Sequence, residues 1–433
     1  MRELCVTGGT GLIASHLIKS LLLKGYFVRA TVRDPENVTK VGFLREMEGA
    51  TERLKLYEAD LTVDGSFDEA ILGVDGVFHV ACPVLSPCPA DDVQTSIIDP
   101  SVRGTSNVLS SCLKSTTLKR IVLTSSCYAI TQRSDAHLIS PFNESHWSDL
   151  EHCKLNNLWY AYGKTLAEKT AWKISEANGL DLVVVHPSFV IGPLLNQLPS
   201  STLKFVLDLI KGVHGGYQDR YVRFVHVEDV VAVHILAMED TKAEGRLICS
   251  SGLAHWSEII DMLRAKYPMY PYETKPINQN RDQNMYTMDT DKVYAIACGF
   301  DERRYTTKKW QDGSVKSKLI VCNREGFARS KKVVKTNVSE EDGGGHVRRR
   351  TKVTRIGCRA RIRLFMKNSL LLIDLFHEGH NHELISGKDR QFQKRSRNLS
   401  KYHKDIIVYN SRVHLLYCSH EVVFLTCNIV GPC

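Results

Sequence analysis

Leu4-Cys5-Val6-Thr7-Gly8-Gly9-Thr10-Gly11-Leu12-Ile13-Ala14 decides the fold of this chain. Four residues of a buried strand run into a glycine-rich turn. A helical stretch, Ile13 to Lys24, follows and is capped by Gly25. Phe27 to Val32 is a second strand. In that strand–turn–helix–strand context the glycines have defined work. Gly8 permits the tight turn. Gly11 lets the backbone approach a pyrophosphate, whose charge sits at the helix N-terminus. Ala14 stands where a third glycine is common and still allows close packing. The alternative is a glycine turn without a ligand.

An acidic residue at the end of the second strand would grip the ribose of NAD. Here Arg33 holds that place and Arg29 precedes it. Guanidinium groups suit the 2′-phosphate of NADP; the alternative is two solvated arginines. Further βα units follow, with strands at Gly76–Ala81 and Arg120–Leu123. The latter ends in Thr124-Ser125-Ser126, a hydroxyl cluster where open α/β sheets place their ligands. Trp159 to Asn178 reads as an amphipathic helix stopped by Gly179. Tyr160 and Lys164 lie on one face of it. A neighbouring ammonium favours the phenolate, which predicts a lowered Tyr160 pKa and a tyrosine able to give a proton to a carbonyl.

The set Thr7 to Ala14, Ser126, Tyr160 and Lys164 resembles the extended short-chain dehydrogenase/reductases. The resemblance narrows to the plant dihydroflavonol, cinnamoyl-CoA and tetraketide α-pyrone reductases. It is carried by Val28 to Pro35, Gly65 to Ala70, Asn143 to Asp149, Leu182 to Pro193 and Ile248 to Trp256. It implies an α/β, Rossmann-type, doubly wound parallel sheet with a small substrate lobe over residues 1–293. It also implies NADPH as cofactor and reduction of a ketone of polyketide or phenylpropanoid type, as in sporopollenin synthesis. By that resemblance Gly8, Thr10, Gly11, Leu12 and Ile13 cradle the pyrophosphate, and Arg33 and Lys40 take the 2′-phosphate. Asp60 and Leu61 flank the adenine, Val80 and Ala81 line the cofactor, and Pro187 and Val190 meet the nicotinamide end. Ser126 polarises the carbonyl, Tyr160 protonates it, and Lys164 holds the ribose. Cys82 and His186 depart from the family pattern. After Val293 the family's closing strand and helix are missing, which predicts a truncated lobe with exposed apolar surface.

The last third has a different character. The whole chain of 433 residues carries +9, yet Arg303 to Lys367 alone holds 20 Lys and Arg against 5 Asp and Glu. That asymmetry points to a polyanion partner for this part alone. Strand-like pieces at Leu319–Cys322, Ala360–Phe365 and Leu370–Phe376 sit among the basic runs. Cys322, Cys358, His380 and His382 could supply two thiolates and two imidazoles to one zinc. Buried cysteines and surface histidines are the alternative reading. Val321 to Phe327, Thr354 to Ala360 and His380 to Leu384 resemble the DNA-binding domain of the plant far-red impaired response family. That resemblance implies a small β-rich zinc-binding domain over 294–390, with DNA as partner. Residues 391–433 carry no motif and read as a disordered tail.

The 13 scattered cysteines read as reduced thiols, and no apolar run is long enough to cross a membrane. A cytoplasmic protein is expected, with Arg348 to Lys352 doubling as a nuclear-import patch. Three readings stay open: a carbonyl reductase, a DNA-binding protein, or a fusion in which neither activity survives.

Overall fold

The computed structural model describes residues 2–83, 93–196, 201–277, 286–297, 304–309, 315–321, 361–367 and 370–377. These fall into two compact units that divide between Tyr294 and Ala295.

The first unit contains strands β1 (Glu3–Val6), β2 (Phe27–Val32), β3 (Leu54–Glu58), β4 (Gly76–His79), β5 (Arg120–Thr124), β6 (Leu182–Pro187), β7 (Phe189–Ile191), β8 (Tyr221–His226), β9 (Gly245–Cys249) and β10 (Gly252–His255). Seven form one sheet in the order β3-β2-β1-β4-β5-β6-β9. Every pairing in it is parallel. The order reverses between β1 and β4, which is where a doubly wound sheet opens its ligand crevice. Parallel strands are covered on both faces, so the central ones are mostly apolar; all six positions of β6, LVVVHP, are buried. Helices Asp99–Leu113 and Trp159–Asn178 pack together over one face. Their core joins Cys5, Val77, Ile121 and Val184 of the sheet to Val108, Leu109 and Ala171 of the helices. Helices Leu12–Leu23 and Val227–Glu239 also pack on each other.

The smaller sheet, β10-β8-β7, belongs to the substrate lobe. Its core is aromatic: Phe189, Phe205 and Phe224 meet Trp256 edge-on with centroids 5.2–5.6 Å apart. The lobe is closed by a return of the chain, where Phe142 N–H donates to Thr287 O and Asp289 N–H donates to Phe142 O, both at 2.7 Å. Where the sequence led us to expect the lobe to stop, a helix forms at Asp291–Ala297. Its Lys292 Nζ donates to the carbonyls of Glu244 and Arg246, so the chain is fastened to the start of β9 at the expected end.

The second unit shows an antiparallel sheet of four strands, β11 (Arg304–Lys309), β12 (Val315–Val321), β13 (Arg361–Lys367) and β14 (Leu370–His377), in chain order. Three of them overlap the strand-like pieces of the sequence. The first, β11, is an addition: its charged sequence RYTTKK lacks an apolar alternation.

Candidate active site

Because the large sheet is parallel, the carboxyl ends of its strands share one edge. The turn after β1 begins with Gly8 at φ +72°, and a Cβ there would meet Ala81 Cα at 3.0 Å. Gly9 packs the turn onto β2, where a Cβ would lie 3.3 Å from Ala30 Cβ. Gly11 precedes the Leu12–Leu23 helix, and a Cβ there would sit 3.3 Å from Gly8 O. No side chain caps this helix and its first turn holds no acid. Its N–H groups and dipole are therefore left for an anion. Thr10, Leu12 and Ile13 are half-buried around it. These features fit a dinucleotide pyrophosphate, whose close approach to the backbone a side chain at Gly11 would hinder.

The ends of β2 and β3 bring up a second group. Arg33 and Lys40 are exposed beyond β2. Asp60 follows β3, and its carboxyl is held below the usual range by Thr62, with the Arg33 guanidinium adding to the effect. Leu61 beside it lines a cavity with His79, Ala81, Cys82, Thr124, Ser125, Lys164 and Glu168. Arg29, which the sequence offered as a second phosphate ligand, is engaged elsewhere. It makes a two-pronged pair with Glu3 at 2.7 and 2.9 Å and donates to the carbonyls of Glu69 and Leu72.

Val80 and Ala81 follow β4. Their N–H groups donate to Thr7 Oγ1 at 3.1 and 3.0 Å, so Thr7 fixes the β4 end against the glycine turn. Pro187 ends β6 and Val190 lies in β7, both buried. The chain beyond them bends back over the glycine turn, where Asn196 Nδ2 donates to Thr10 O at 3.0 Å.

Ser126 follows β5 and faces the Trp159–Asn178 helix. Its hydroxyl accepts from Tyr128 N–H at 3.2 Å and lies close enough to the Tyr160 phenol to favour its ionised form. Lys164 Nζ, buried, donates to Thr124 O at 3.0 Å. The sequence led us to expect a lowered Tyr160 pKa. The structure corrects this: burial pushes the phenol above its ordinary value, and the Lys164 ammonium and the Ser126 hydroxyl offset only part of that. Burial opposes the Lys164 charge, yet its pKa lies above the ordinary value, sustained by the Cys82, Tyr160 and Glu168 side chains around it.

A phenol beside a hydroxyl and a buried ammonium, next to an uncapped helix N-terminus at a glycine turn, has the groups that hydride chemistry at a carbonyl requires. Comparisons with known proteins bear on the family of the chain. The profile of the NAD dependent epimerase/dehydratase family matches residues 4–248, more than half of the chain.

The chain belongs to that family.

Tetraketide alpha-pyrone reductase 2 of Arabidopsis thaliana is 59% identical over 300 residues, covering 69% of this chain and 93% of its own length. Tetraketide alpha-pyrone reductase 1 of the same plant is 46% identical over 299 residues, 69% of this chain and 90% of that protein. Among solved structures, vestitone reductase from alfalfa (Medicago sativa L.) is 33% identical with a TM-score of 0.57, covering 72% of this chain and 97% of that one. Gre2 of Candida albicans in complex with NADPH is 27% identical with a TM-score of 0.59, over 68% and 93%. The chain is therefore an oxidoreductase of this family, with a nicotinamide cofactor and a small-molecule substrate. A second profile, the FAR1 DNA-binding domain, matches residues 291–386. Its candidate ligands Cys322, Cys358, His380 and His382, and the 391–433 tail, lie outside the described residues. Among the described residues no helix is long and apolar enough to cross a membrane.

Sequence reasoning missed Asn196, Glu168 and Arg246 as parts of the site's frame, and it named Thr7, Thr124, Ser125 and His186 without the contacts that make them part of it. Glu168 alone had a local signal: it stands four residues after Lys164 on the same helical face.

Proposed function

We propose that residues 1–293 form an NADPH-dependent ketone reductase acting on a tetraketide α-pyrone or a related polyketide or phenylpropanoid-like ketone, in the sporopollenin pathway. The convergence of Ser126, Tyr160 and Lys164 at the β5 end carries this reading, and the 59% identity to a tetraketide alpha-pyrone reductase supplies the substrate class. The nicotinamide, when bound, supplies the hydride. The Ser126 hydroxyl donates to the substrate oxygen and polarises the carbonyl. Tyr160 holds the proton that this oxygen takes as the alcohol forms. Lys164 makes the resulting phenolate tolerable and binds the ribose. Gly8, Thr10, Gly11, Leu12 and Ile13 hold the pyrophosphate, Arg33 and Lys40 the 2′-phosphate, Asp60 and Leu61 the adenine, and Val80, Ala81, Pro187 and Val190 the remaining length of the cofactor. Thermal unfolding with NADPH or NADH tests the cofactor. A ligand at 100 times its Kd adds about 2.7 kcal/mol, so NADPH should raise the midpoint and NADH much less. Arg33→Ala should erase that difference. Equal shifts in the wild-type protein would exclude the NADPH preference. Loss of NADPH absorbance on adding a tetraketide α-pyrone tests the reaction itself.

A second reading concerns residues 294–390, favoured by the FAR1 match and by the surplus of basic residues. Cys322, Cys358, His380 and His382 hold a structural zinc, and Lys and Arg bind DNA phosphates. Affinity for duplex DNA should fall steeply with salt and be lost on EDTA treatment. Equal binding after EDTA would remove the zinc.

A further inference from the structure

The strand-to-helix turn Thr124-Ser125-Ser126 meets three residues spaced by four on one face of the Trp159–Asn178 helix. Ser126 meets Tyr160, Thr124 O accepts from Lys164 Nζ at 3.0 Å, and Ser125 Oγ donates to Glu168 Oε2 at 2.7 Å. The proposed function uses the first two of these contacts and leaves the third unexplained.

Glu168 is a fully buried carboxylate with four donors. Oε2 also accepts from His186 Nε2 at 2.8 Å, while Oε1 accepts from Arg246 Nε at 2.7 Å and from Trp172 Nε1 at 3.3 Å. These donors come from β6, from β9 and from its own helix. A buried anion in that number of bonds does not move. The Arg246 guanidinium continues outward, donating to Glu144 O and His146 O and stacking 3.9 Å from the Trp147 ring. One carboxylate thus ties the catalytic helix, the β5 turn and the 144–147 segment into a single rigid body.

We propose that Glu168 is a positioning residue for the reductase: it locks the Ser125-Ser126 turn in register with Tyr160 and Lys164, and its negative charge sustains the Lys164 ammonium. The proposal rests on the reductase reading of Ser126, Tyr160 and Lys164. The charged and titratable groups around the Tyr160 and Lys164 pair are Cys82, His79, Tyr128 and Glu168. His79 and His186 are held neutral by burial, and Glu168 is an anion with its pKa depressed to about 2. Glu168 is therefore the fixed negative charge on this side of the pair.

The test titrates Tyr160 in the full-length protein. Tyrosinate absorbance is followed against pH, and the curve of the same protein carrying Tyr160→Phe is subtracted. Removing the anion with Glu168→Gln should lower the Tyr160 midpoint on the order of one pH unit, since a unit charge about 10 Å away acts with that strength inside a protein. It should also lower kcat by more than tenfold with little change in KM. Ser125→Ala keeps every charge and frees the turn. It should raise the same midpoint, because the Ser126 hydroxyl no longer stabilises the phenolate. These opposite signs separate charge from register. Glu168→Gln leaves Arg246 without its counter-charge, so a missing thermal transition would shift the decision to Ser125→Ala. Unchanged midpoints in the folded variants would overturn the proposal. A wild-type protein that reduces no ketone, while the midpoints move as described, would count against the proposed function and leave the positioning role standing.

Discussion

Tyr160 sits between opposing pulls. Burial favours its neutral form, while Lys164 and Ser126 favour the phenolate. The neutral form is the one that can give a proton, so a raised pKa keeps the acid loaded at neutral pH. What Lys164 contributes is stability for the anion left after the proton has gone. Tyr160→Phe keeps the ring, which meets Tyr128 edge-on at 6.1 Å, and removes only the proton. Turnover should fall by roughly 10²–10⁴-fold, the usual worth of a positioned acid. NADPH affinity, read by titration of its fluorescence, should stay within about twofold of wild type, because the pyrophosphate cradle is formed by other residues. Retained turnover would remove Tyr160 from the role of proton donor.

At the scale of elements, the glycine turn, β4 and the first helix act as one piece. Gly8 has a left-handed backbone and no room for a methyl group, with Ala81 Cα at 3.0 Å. Thr7 ties the N–H groups of Val80 and Ala81 to the same turn. Gly8→Ala should therefore cost about 1–3 kcal/mol through backbone strain and push the β4 end away from the cradle. A lowered urea midpoint with weakened NADPH binding is the expected pair of results. An unchanged midpoint would show that the turn can relax. The same contrast explains what could be read from the sequence. The glycine turn, the strands around it and the Tyr160–Lys164 helix are patterns local in sequence, and they were legible. So was the polar end of β5. The Glu168 cluster was not, because its partners Ser125, His186 and Arg246 stand 43, 18 and 78 positions away and no spacing rule links them. Arg29 was misread for a related reason: its sequence position suits a phosphate, but the Glu3 beside it on β1 is a neighbour only once the sheet has formed. The basic strand β11 had no alternating pattern to reveal it, whereas β12, β13 and β14 carry apolar runs.

For the reductase unit as a whole, buried polar groups set its tolerance to acid. His79, hydrogen-bonded to Thr7 Oγ1 at 3.1 Å, has its pKa pushed from an ordinary 6.5 down to about 3 by burial, with Lys164 adding to the effect. His234, which meets Thr124 Oγ1 at 2.7 Å, falls to about 4 through burial. Glu168 falls from 4.5 to about 2: its burial opposes the shift, and His186 and Arg246 overcome it. The sign is the same for all three. Between pH 6.5 and about 4 the unfolded chain takes up protons on these histidines and the folded chain does not, so stability falls as pH falls. Each contributes a slope of up to about 1.4 kcal/mol per pH unit in that window. Below 4.5 the unfolded state also protonates Glu168, and the loss continues toward pH 2. The thermal midpoint of the reductase unit should thus decline from pH 7 to pH 4, less steeply below pH 6, where the buried Asp229 carboxyl, raised from 3.8 to about 6 by burial, takes up a proton in the folded state and opposes the loss. His234→Gln, which keeps a hydrogen-bonding group and cannot titrate, should flatten part of the decline between pH 6.5 and 4 even where it lowers the midpoint at pH 7. A midpoint independent of pH across that window would mean that both histidines can bind protons in the folded state, and that the Thr7 and Thr124 contacts do not hold their rings in a dry interior.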